Sequence, residues 1–333
     1  MDLDQFIAAV EVLRNPELRG RPVVVGGDGD PTKRGVVSTA SYEAREYGVH
    51  SGLPLRTAAR RCPDAVFLPV DADVYEAASA TVMSTLRETN AVVEVLGWDE
   101  AFLGVETDDP EDFARDLQRR VRQASSLECS VGIGQNKLQA KLATEFGKPA
   151  GVYRLTNENW FDVLGDRTTD ALWGIGSKTA KRLAGLGITT VSELAGTDPQ
   201  VLAAELGPTT GPWLVRIARG RASAVVDSTP HIARSRSRET TFQENLEDWA
   251  EVRAEVSKLA KRVADDVLAD GRSAARIVVK VRYAPFFTRT HGRVLPTPTT
   301  DSHEIERGAL AALELFTAGR PVRLLGVRAE FSR

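Results

Sequence analysis

The sequence predicts an α+β protein built from several domains. The first half mixes antiparallel strands with crossing helices, residues 155–222 show an all-helical pattern punctuated by glycine, and residues 234–333 follow the order β-α-β-β-α-β. A chain of 333 residues has room for about two to four domains. We therefore expect two α+β domains separated by a helical one.

The first half fits a ferredoxin-like α+β core with an insertion at about residues 10–68. Gly48 is the expected C-cap of one short helix, and Pro54 the first residue of the next. The predicted helices span 4–13, 41–47, 54–62, 72–88, 110–125 and 136–146. The predicted strands span 22–25, 35–38, 65–69 and 128–133, with two more strands joined at Asp99-Glu100.

The second half begins with the helical segment and a polar linker at Ala222–Ser237. After it, alternating patterns predict a strand at 234–242, a helix at 247–269, two strands within 274–295, a helix at 301–317 and a strand at 321–331. This order describes a second small α+β domain.

Charge is unevenly distributed along the chain. The whole chain carries −3, but residues 231–333 carry 18 Lys and Arg against 14 Asp and Glu. A basic module joined to an acidic one suits a protein that binds a polyanion and also divalent metal. No apolar run approaches membrane-spanning length, and two cysteines, Cys62 and Cys129, are too few for a disulfide framework. These features predict a cytoplasmic protein without a membrane partner.

Two short acidic segments carry the clearest chemical signal. One is Asp2-Leu3-Asp4 and the other is Asp99-Glu100, and each lies at the end of an apolar stretch. Carboxylates gathered at strand ends form an oxygen-rich site for Mg²⁺, and two such ions about 4 Å apart can clamp a phosphoryl displacement. Taken alone, Asp99-Glu100 is better explained as a polar hairpin turn, and the motifs described next reverse that preference.

Three further side chains suit a nucleoside triphosphate. Tyr42 and Arg45 are three residues apart on a predicted helix and share a face, where they can bind phosphates. Lys148, fixed by Pro149, follows a helix that starts at Asn136. Each of these residues could also be an ordinary solvated side chain.

Two patterns suit a DNA backbone. Gly174-Ile175-Gly176 precedes Ser177-Lys178 at a helix start, which is typical of a helix–hairpin–helix whose amides bind phosphate. Arg234, Arg236 and Arg238 alternate at strand period, and later strand positions carry Arg276, Lys280 and Arg282. The alternatives are a simple helical hairpin and a solvated sheet edge.

Taken together, these motifs resemble those of a Y-family translesion DNA polymerase of the DNA polymerase IV class. The resemblance spans essentially the whole chain and rests on the segments Asp2–Phe6, Ser38–Arg45, Asp99–Leu103, Asn136-Lys137, Lys148-Pro149 and Gly174–Gly176. It implies a right hand with palm at 1–5 and 69–158, fingers at 6–68, thumb at 159–222, linker at 223–233 and little finger at 234–333.

The resemblance also assigns roles. Asp2, Asp99 and Glu100 become catalytic residues that hold two Mg²⁺ ions, with Mn²⁺ as a substitute and help from the Leu3 carbonyl, whereas Asp4 ligates no metal. The incoming nucleotide is expected to contact Phe6, Ile7, Thr39, Tyr42, Arg45 and Lys148. The residues expected to bind DNA are Gly174, Gly176, Ser177, Lys178, Arg234, Arg236 and Arg238. The implied partners are primer–template DNA and a dNTP, and we expect a monomer without a sliding-clamp peptide.

Besides the missing sliding-clamp peptide, three features depart from the family pattern. Ile7 stands where an aromatic residue usually excludes a 2′-OH, so rNTP use is expected. Gly97-Trp98 replaces a more usual Ser-x pair, and no role follows for Trp98. Only Met1 precedes Asp2, and because strands usually have about five residues, we expect an upstream in-frame start, without which Asp2 would be poorly anchored.

The resulting hypothesis is a template-directed nucleotidyltransferase that extends a primer during translesion synthesis. A nucleotidyl cyclase could share the palm and the paired carboxylates, but it would need no hairpin motif or basic C-terminal sheet. A catalytically weak relative that acts as a DNA-binding scaffold should have lost a carboxylate, and Asp2, Asp99 and Glu100 are all present.

Overall fold

A computed structural model describes residues 1–332, which form two compact units. The first contains residues 1–30, 36–53 and 57–230, and the second contains 31–35, 54–56 and the chain from His231 onward. In chain order the strands are β1 (Asp2–Leu3), β2 (Val23–Val25), β3 (Thr39–Ala40), β4 (Val66–Leu68), β5 (Val92–Val95), β6 (Ala101–Gly104), β7 (Cys129–Gly134), β8 (Val152–Leu155), β9 (Ser235–Leu246), β10 (Ala274–Tyr283), β11 (Phe287–Thr299) and β12 (Val322–Phe331).

The helices surround these strands. In chain order they are α1 (Phe6–Arg14), α2 (Tyr42–Glu46), α3 (Leu55–Arg61), α4 (Ala72–Arg87), α5 (Pro110–Ser125), α6 (Lys137–Gly147), α7 (Trp160–Leu164), α8 (Ser177–Gly185), α9 (Val191–Gly196), α10 (Pro199–Leu206), α11 (Thr210–Ala218), α12 (Trp249–Asp270) and α13 (Ser302–Leu313). Short 3-10 turns lie at Pro16–Leu18 and Thr169–Ala171.

The central sheet of the first unit has the order β1-β7-β8. β1 runs antiparallel to β7, and β8 runs parallel to β7 after the crossover through α6. Sequence patterns did not predict β8, because it is only four residues long and lies between a turn and the helical segment. The hairpin predicted around Asp99-Glu100 is confirmed as β5 and β6.

A second small sheet, with the order β3-β2-β4, lies in the predicted insertion. The strand predicted at 35–38 is wrong: pairing with β2 falls instead on Thr39 and Ala40. Val37 directs its backbone bonds to the 52–53 loop, since its N–H donates to Leu53 O and its O accepts from Gly52 N. Pro54 precedes α3 rather than opening it.

The helical segment of the first unit has its own apolar core, centred on residues such as Trp160, Leu183, Leu194 and Leu214. The Trp160 indole N–H donates to Ala218 O at 2.8 Å, which joins α7 to α11. α9 begins with a capping box, in which Thr190 and Glu193 satisfy each other's backbone N–H groups. These contacts hold a set of short helices in a fixed arrangement.

The second unit confirms the predicted β-α-β-β-α-β order. Its antiparallel sheet has the order β11-β10-β12-β9, and α12 and α13 cover one face. Alternate strand residues, including Ile277, Val279, Leu325 and Val327, point into the core under these helices. The opposite face of the sheet is left for solvent or a ligand.

Candidate active site

Three backbone contacts bring the acidic segments together. Asp2 on β1 forms an antiparallel bridge with Glu100, the Leu3 N–H donates to Asp99 O at 2.8 Å, and the Ala101 N–H donates to Met1 O at 3.1 Å. Asp2 is only 4% exposed. The short strand therefore holds Asp2 on both sides, between β7 and the hairpin, and the expectation of poor anchoring is wrong.

Two lysines of the α6 region point at these carboxylates. The Lys141 ammonium donates to Asp2 Oδ2 at 2.8 Å and to Glu100 Oε1 at 2.7 Å. Lys148 lies 2.9 Å from Asp2 Oδ1 and 2.8 Å from Glu145. Lys148, a predicted triphosphate contact, therefore lies at the carboxylate site. Lys141 lies there as well, although the sequence patterns did not predict it.

Glycines on β7 bring α6 close enough for this contact. A Cβ at Gly132 would lie 2.1 Å from Ala140 O, and one at Gly134 would lie 2.6 Å from Ala140 N. Only glycine permits such an approach of helix and strand. The close packing carries Lys141, the next residue of α6, over the sheet edge where Asp2 lies.

The ionisation of the site follows from burial and opposite charge. Burial would raise the pKa of Asp2, but Lys141 and Lys148 more than offset it, so that pKa is lowered. Burial, and then the charge of Asp2, raise the pKa of Asp99. The pKa of Glu100 is also raised, mainly by burial and despite the bond from Lys141. Added positive charge would stabilise the ionised form of all three carboxylates.

The donor set suits a hard cation. Carboxylates from two separate strand ends converge on one positive charge, the Lys141 ammonium, at 2.7–2.8 Å, and oxygen ligands are those that Mg²⁺ prefers. Within residues 1–332, however, no three His, Cys, Asp or Glu side chains stand in a ready metal-binding group. Lys141 occupies the space between the carboxylates, so a cation there would replace or displace the ammonium.

Asp4 links three parts of the site and is fully occupied by them. It accepts the Tyr42 hydroxyl at 2.8 Å, the Ser130 hydroxyl at 2.9 Å and the Ala150 N–H at 2.7 Å. Burial and Asp4 raise the pKa of the Tyr42 phenol well above its usual range. Asp4 therefore connects α2, β7 and the turn after Lys148, and its lack of a metal role stays a prediction.

The other predicted nucleotide contacts lie around α1 and α2. Arg45 stands over the Tyr42 ring at 4.9 Å and donates to Ala40 O at 3.0 Å, so the two side chains share a face as predicted. Thr39 is half-buried opposite Val25. Phe6 is buried in the core, and Ile7 packs partly against the same cluster. Their contact with a nucleotide stays a prediction.

The predicted hairpin motif is open to a ligand. Gly174 has φ +100°, and Gly176 caps α8 with no atom within 4 Å of the place its Cβ would occupy. Ser177 and Lys178 are exposed at the start of this helix. Free backbone N–H groups at such a helix start can bind a phosphate oxygen.

The arginines of the second unit divide between the two faces of its sheet. Arg236 and Arg238 share the helix-covered side and pair with Asp270 and Asp266 of α12, while Arg234 lies just before β9. On the open face the register aligns Arg276, Lys280, Arg282 and Arg328. The structure therefore gives Arg236 and Arg238 partners within the protein, and a role in DNA binding stays a prediction.

Sequence reasoning missed Lys141 and Ser130. Lys141 follows Lys137 by four residues and precedes Lys148 by seven, which places all three near one side of the helix. That spacing was the only available signal, and it equally fits a solvated helix face.

None of the helices in residues 1–332 combines the length and the apolar character that a membrane-spanning helix needs.

Comparisons with known proteins agree on one family. The impB/mucB/samB family matches residues 1–145, its C-terminal domain matches 233–331, and the thumb domain of DNA polymerase-iota matches 170–221. DNA polymerase IV 2 of Mycobacterium bovis is 50% identical over 336 aligned positions, covering 100% of this chain and 97% of that protein.

Solved structures show the same similarity. A Y-family DNA polymerase chimera of Dbh and Dpo4 has a TM-score of 0.86 at 26% identity, covering 99% of this chain and 97% of that one. An insertion ternary complex of Dbh DNA polymerase has a TM-score of 0.66 at 27% identity, with the same coverage.

Proposed function

Because the chain belongs to the impB/mucB/samB family, in the DNA polymerase IV class of the Y-family polymerases, we propose a role for each part of its site in DNA synthesis. The protein is a DNA-directed DNA polymerase of translesion synthesis. The observation that carries the proposal is the convergence of Asp2 and Glu100 on a single positive charge, with Asp99 beside them.

Asp2, Asp99 and Glu100, with the Leu3 carbonyl, are the residues that would hold two Mg²⁺ ions, with Mn²⁺ as a substitute. When bound, such ions lower the pKa of a primer 3′-OH and stabilise the charge that develops on the departing pyrophosphate. The protein's own contribution is to fix the carboxylates: the β1 bridge orients Asp2, and Lys141 balances the buried negative charge until the site is loaded.

Lys148, Tyr42 and Arg45 hold the triphosphate in this proposal. Asp4 supports it by tying the Tyr42 hydroxyl to the turn that carries Lys148. The single hydrogen of the Tyr42 hydroxyl is used on Asp4, so Tyr42 must turn this hydrogen toward a phosphate or leave the donating to Arg45 and Lys148. Phe6, Ile7 and Thr39 are proposed to line the sugar and base.

Ile7 is proposed to make the enzyme tolerant of ribonucleotides. Its branched side chain is smaller than the aromatic ring expected at this place, which leaves room for a 2′-OH, the group that distinguishes the two kinds of precursor. Half-burial of Ile7 at the start of α1 supports this role, since the side chain keeps a surface that the core does not cover.

Primer–template DNA is the proposed macromolecular partner. Backbone amides at Gly174 and Gly176, with Ser177 and Lys178, would bind phosphates without reading sequence. Arg234, Arg236 and Arg238 remain proposed contacts, although the last two would have to exchange the carboxylates of α12 for phosphates. The domain bounds given above are likewise proposed, and the matched ranges 170–221 and 233–331 support the thumb and little finger.

We place the protein in the cytoplasm as a monomer, and the two buried, unpaired cysteines support a reducing compartment. Primer extension with Mg²⁺, using deoxy- and ribonucleotides side by side, tests the function. If the protein is the proposed polymerase, we expect it to extend the primer and to use both deoxy- and ribonucleotides. A scaffold would bind the DNA without extending it, and a cyclase would convert the triphosphate without needing a primer.

A further inference from the structure

The hairpin that joins β10 to β11 ends in exposed aromatic rings. Phe286 is 68% exposed and Phe287 is 42% exposed. Phe287 stacks on the buried Tyr283, with ring centroids 6.2 Å apart. Large apolar side chains at a hairpin end are costly to leave in water, and a contiguous pair of them is typical of a binding surface.

Three arginines surround these rings. Arg323 stands 4.9 Å from the Phe286 ring centroid, and Arg289 and Arg320 stand 4.5 Å and 5.7 Å from that of Phe287. We call Tyr283, Phe286, Phe287, Arg289, Arg320 and Arg323 the hairpin tip. It combines two exposed aromatic side chains with three guanidinium groups.

The chain segments that form the hairpin tip contain no carboxylate side chain. No Asp or Glu occurs between positions 282 and 300 or between 315 and 329. Burial, and then the charges of Arg34 and Arg282, lower the pKa of Arg323. On the open sheet face, by contrast, Lys280 is 2.9 Å from Glu239 and Arg276 is 3.1 Å from Glu330. The segments of the hairpin tip therefore supply no carboxylate of their own, whereas Lys280 and Arg276 each pair with one.

The hairpin tip is also held in a defined shape. The Tyr283 hydroxyl donates to Thr317 O at 3.0 Å, the Ala284 N–H donates to Pro321 O at 2.9 Å, and Arg282 Nε donates to Thr288 Oγ1 at 3.0 Å. The first two bonds tie the turn to the segment that precedes β12, and the third joins β10 to β11. A fixed surface loses less entropy when a ligand binds, so the rings are presented ready for contact.

We propose that the hairpin tip binds single-stranded DNA, with Phe286 stacking on an unpaired base and the arginines meeting the adjacent phosphates. Aromatic faces beside positive charge are the usual means of holding single strands without reading their sequence. The inference rests on the proposed function, because a copied template is single-stranded ahead of the primer end. It assigns that unpaired strand a site in the second unit.

Two DNA substrates separate this role from duplex binding. One is a primer–template with a 5′ template overhang of about ten nucleotides, and the other is the same duplex with blunt ends. Fluorescence anisotropy at one fixed salt concentration gives the Kd of each for the wild type and for Phe286→Ala, Phe286→Trp and Leu268→Ala. Leu268 is the matched control, since it is 65% exposed on α12 of the same unit.

We expect Phe286→Ala to weaken binding of the overhang substrate about tenfold and to leave the blunt duplex within about twofold of wild type. Phe286→Trp should retain overhang binding, and Leu268→Ala should change neither. Equal losses on both substrates, or no loss on the overhang, would overturn the single-strand assignment, and the second result would leave an acidic protein as the better partner. A wild type that binds neither substrate would contradict the proposed function itself.

Discussion

The Lys141 ammonium lies between Asp2 and Glu100, 2.8 Å from one carboxylate and 2.7 Å from the other. It is a counter-charge at the place that we propose for the divalent cations. Gly132 and Gly134 make the arrangement possible, because they let α6 lie directly against β7. Lys141 therefore lowers the pKa of the buried Asp2 in the free protein, whereas the pKa values of Asp99 and Glu100 stay raised.

Replacing Lys141 should show how much unfolding free energy the metal-free protein loses when Asp2 and Glu100 have no ammonium between them. Lys141→Met removes the ammonium and keeps most of the volume, so we expect the metal-free protein to lose about 1–3 kcal/mol of unfolding free energy. Mn²⁺ should bind about tenfold more tightly, because no ammonium competes for the oxygens. Thermal melts in EDTA and Mn²⁺ titration by electron paramagnetic resonance measure both effects.

Lys137→Met is the matched control for that experiment. Lys137 lies one turn earlier on α6 and pairs with Glu94, away from Asp2 and Glu100. It should leave Mn²⁺ affinity unchanged. If Lys141→Met melts in EDTA at the wild-type temperature and binds Mn²⁺ no more tightly, Lys141 is not the counter-charge of the site.

A second prediction concerns Asp4 as a positioning residue for the nucleotide. Asp4→Asn keeps the shape but turns one acceptor into a donor, so the Tyr42 hydroxyl and the Ala150 N–H can no longer each donate to an oxygen of their own at this side chain. Single-turnover kinetics should show the Kd for dNTP raised about tenfold, equivalent to about 1.4 kcal/mol, with a smaller change in the maximal rate.

Ser130→Ala serves as the comparison, since it removes one hydrogen bond to Asp4 and leaves the Tyr42 and Ala150 contacts in place. Its dNTP affinity should stay within about threefold of wild type. An Asp4→Asn protein with unchanged dNTP affinity, or one that loses only its maximal rate, would argue against the positioning role.

Parts of this site could be predicted from sequence because they depend on local patterns. Asp99 and Glu100 lie between two apolar runs, and a hairpin is the simplest structure that such runs form. Tyr42 and Arg45 share a face because they are three residues apart on a helix. In these cases the spacing along the chain determines the spacing in the structure.

Other parts depend on long-range packing. A lysine such as Lys141 in an amphipathic helix is ordinarily solvated, and only the close approach of α6 to β7 directs it to Asp2. Likewise, the strand period predicted that Arg236 and Arg238 lie on the same side of the sheet, but it did not predict which side. The carboxylates of α12 that face them follow from the register of β9 with β12.

Ile7 should set the choice between deoxy- and ribonucleotides. Restoring a ring with Ile7→Phe would return a clash with the 2′-OH worth about 2–4 kcal/mol, so selectivity for dNTP should rise about 30- to 1,000-fold. Single-nucleotide insertion kinetics with each rNTP and its dNTP measure this on both proteins. A wild-type preference for dNTP above about ten-thousandfold, unchanged by Phe, would refute the prediction.

Two neighbouring glycines should behave differently when a methyl group is added. Gly176→Ala meets no protein atom within 4 Å, so its Tm should not change, but the methyl would obstruct a phosphate and weaken duplex affinity about threefold to tenfold. Gly174→Ala, at φ +100° and 2.7 Å from Trp213, should lose about 1–3 kcal/mol of stability. Anisotropy and thermal melts separate the two effects, and a Gly176→Ala protein with wild-type DNA affinity would contradict the hairpin contact.

The carboxylate site itself is the central claim, and primer extension by Asp99→Ala and Glu100→Ala tests it most directly. Both variants should bind primer–template with nearly wild-type affinity, since the proposed DNA contacts lie elsewhere, and both should fail to extend the primer in Mg²⁺. Extension by either variant within about tenfold of the wild-type rate, a barrier difference of only about 1.4 kcal/mol, would contradict the assignment.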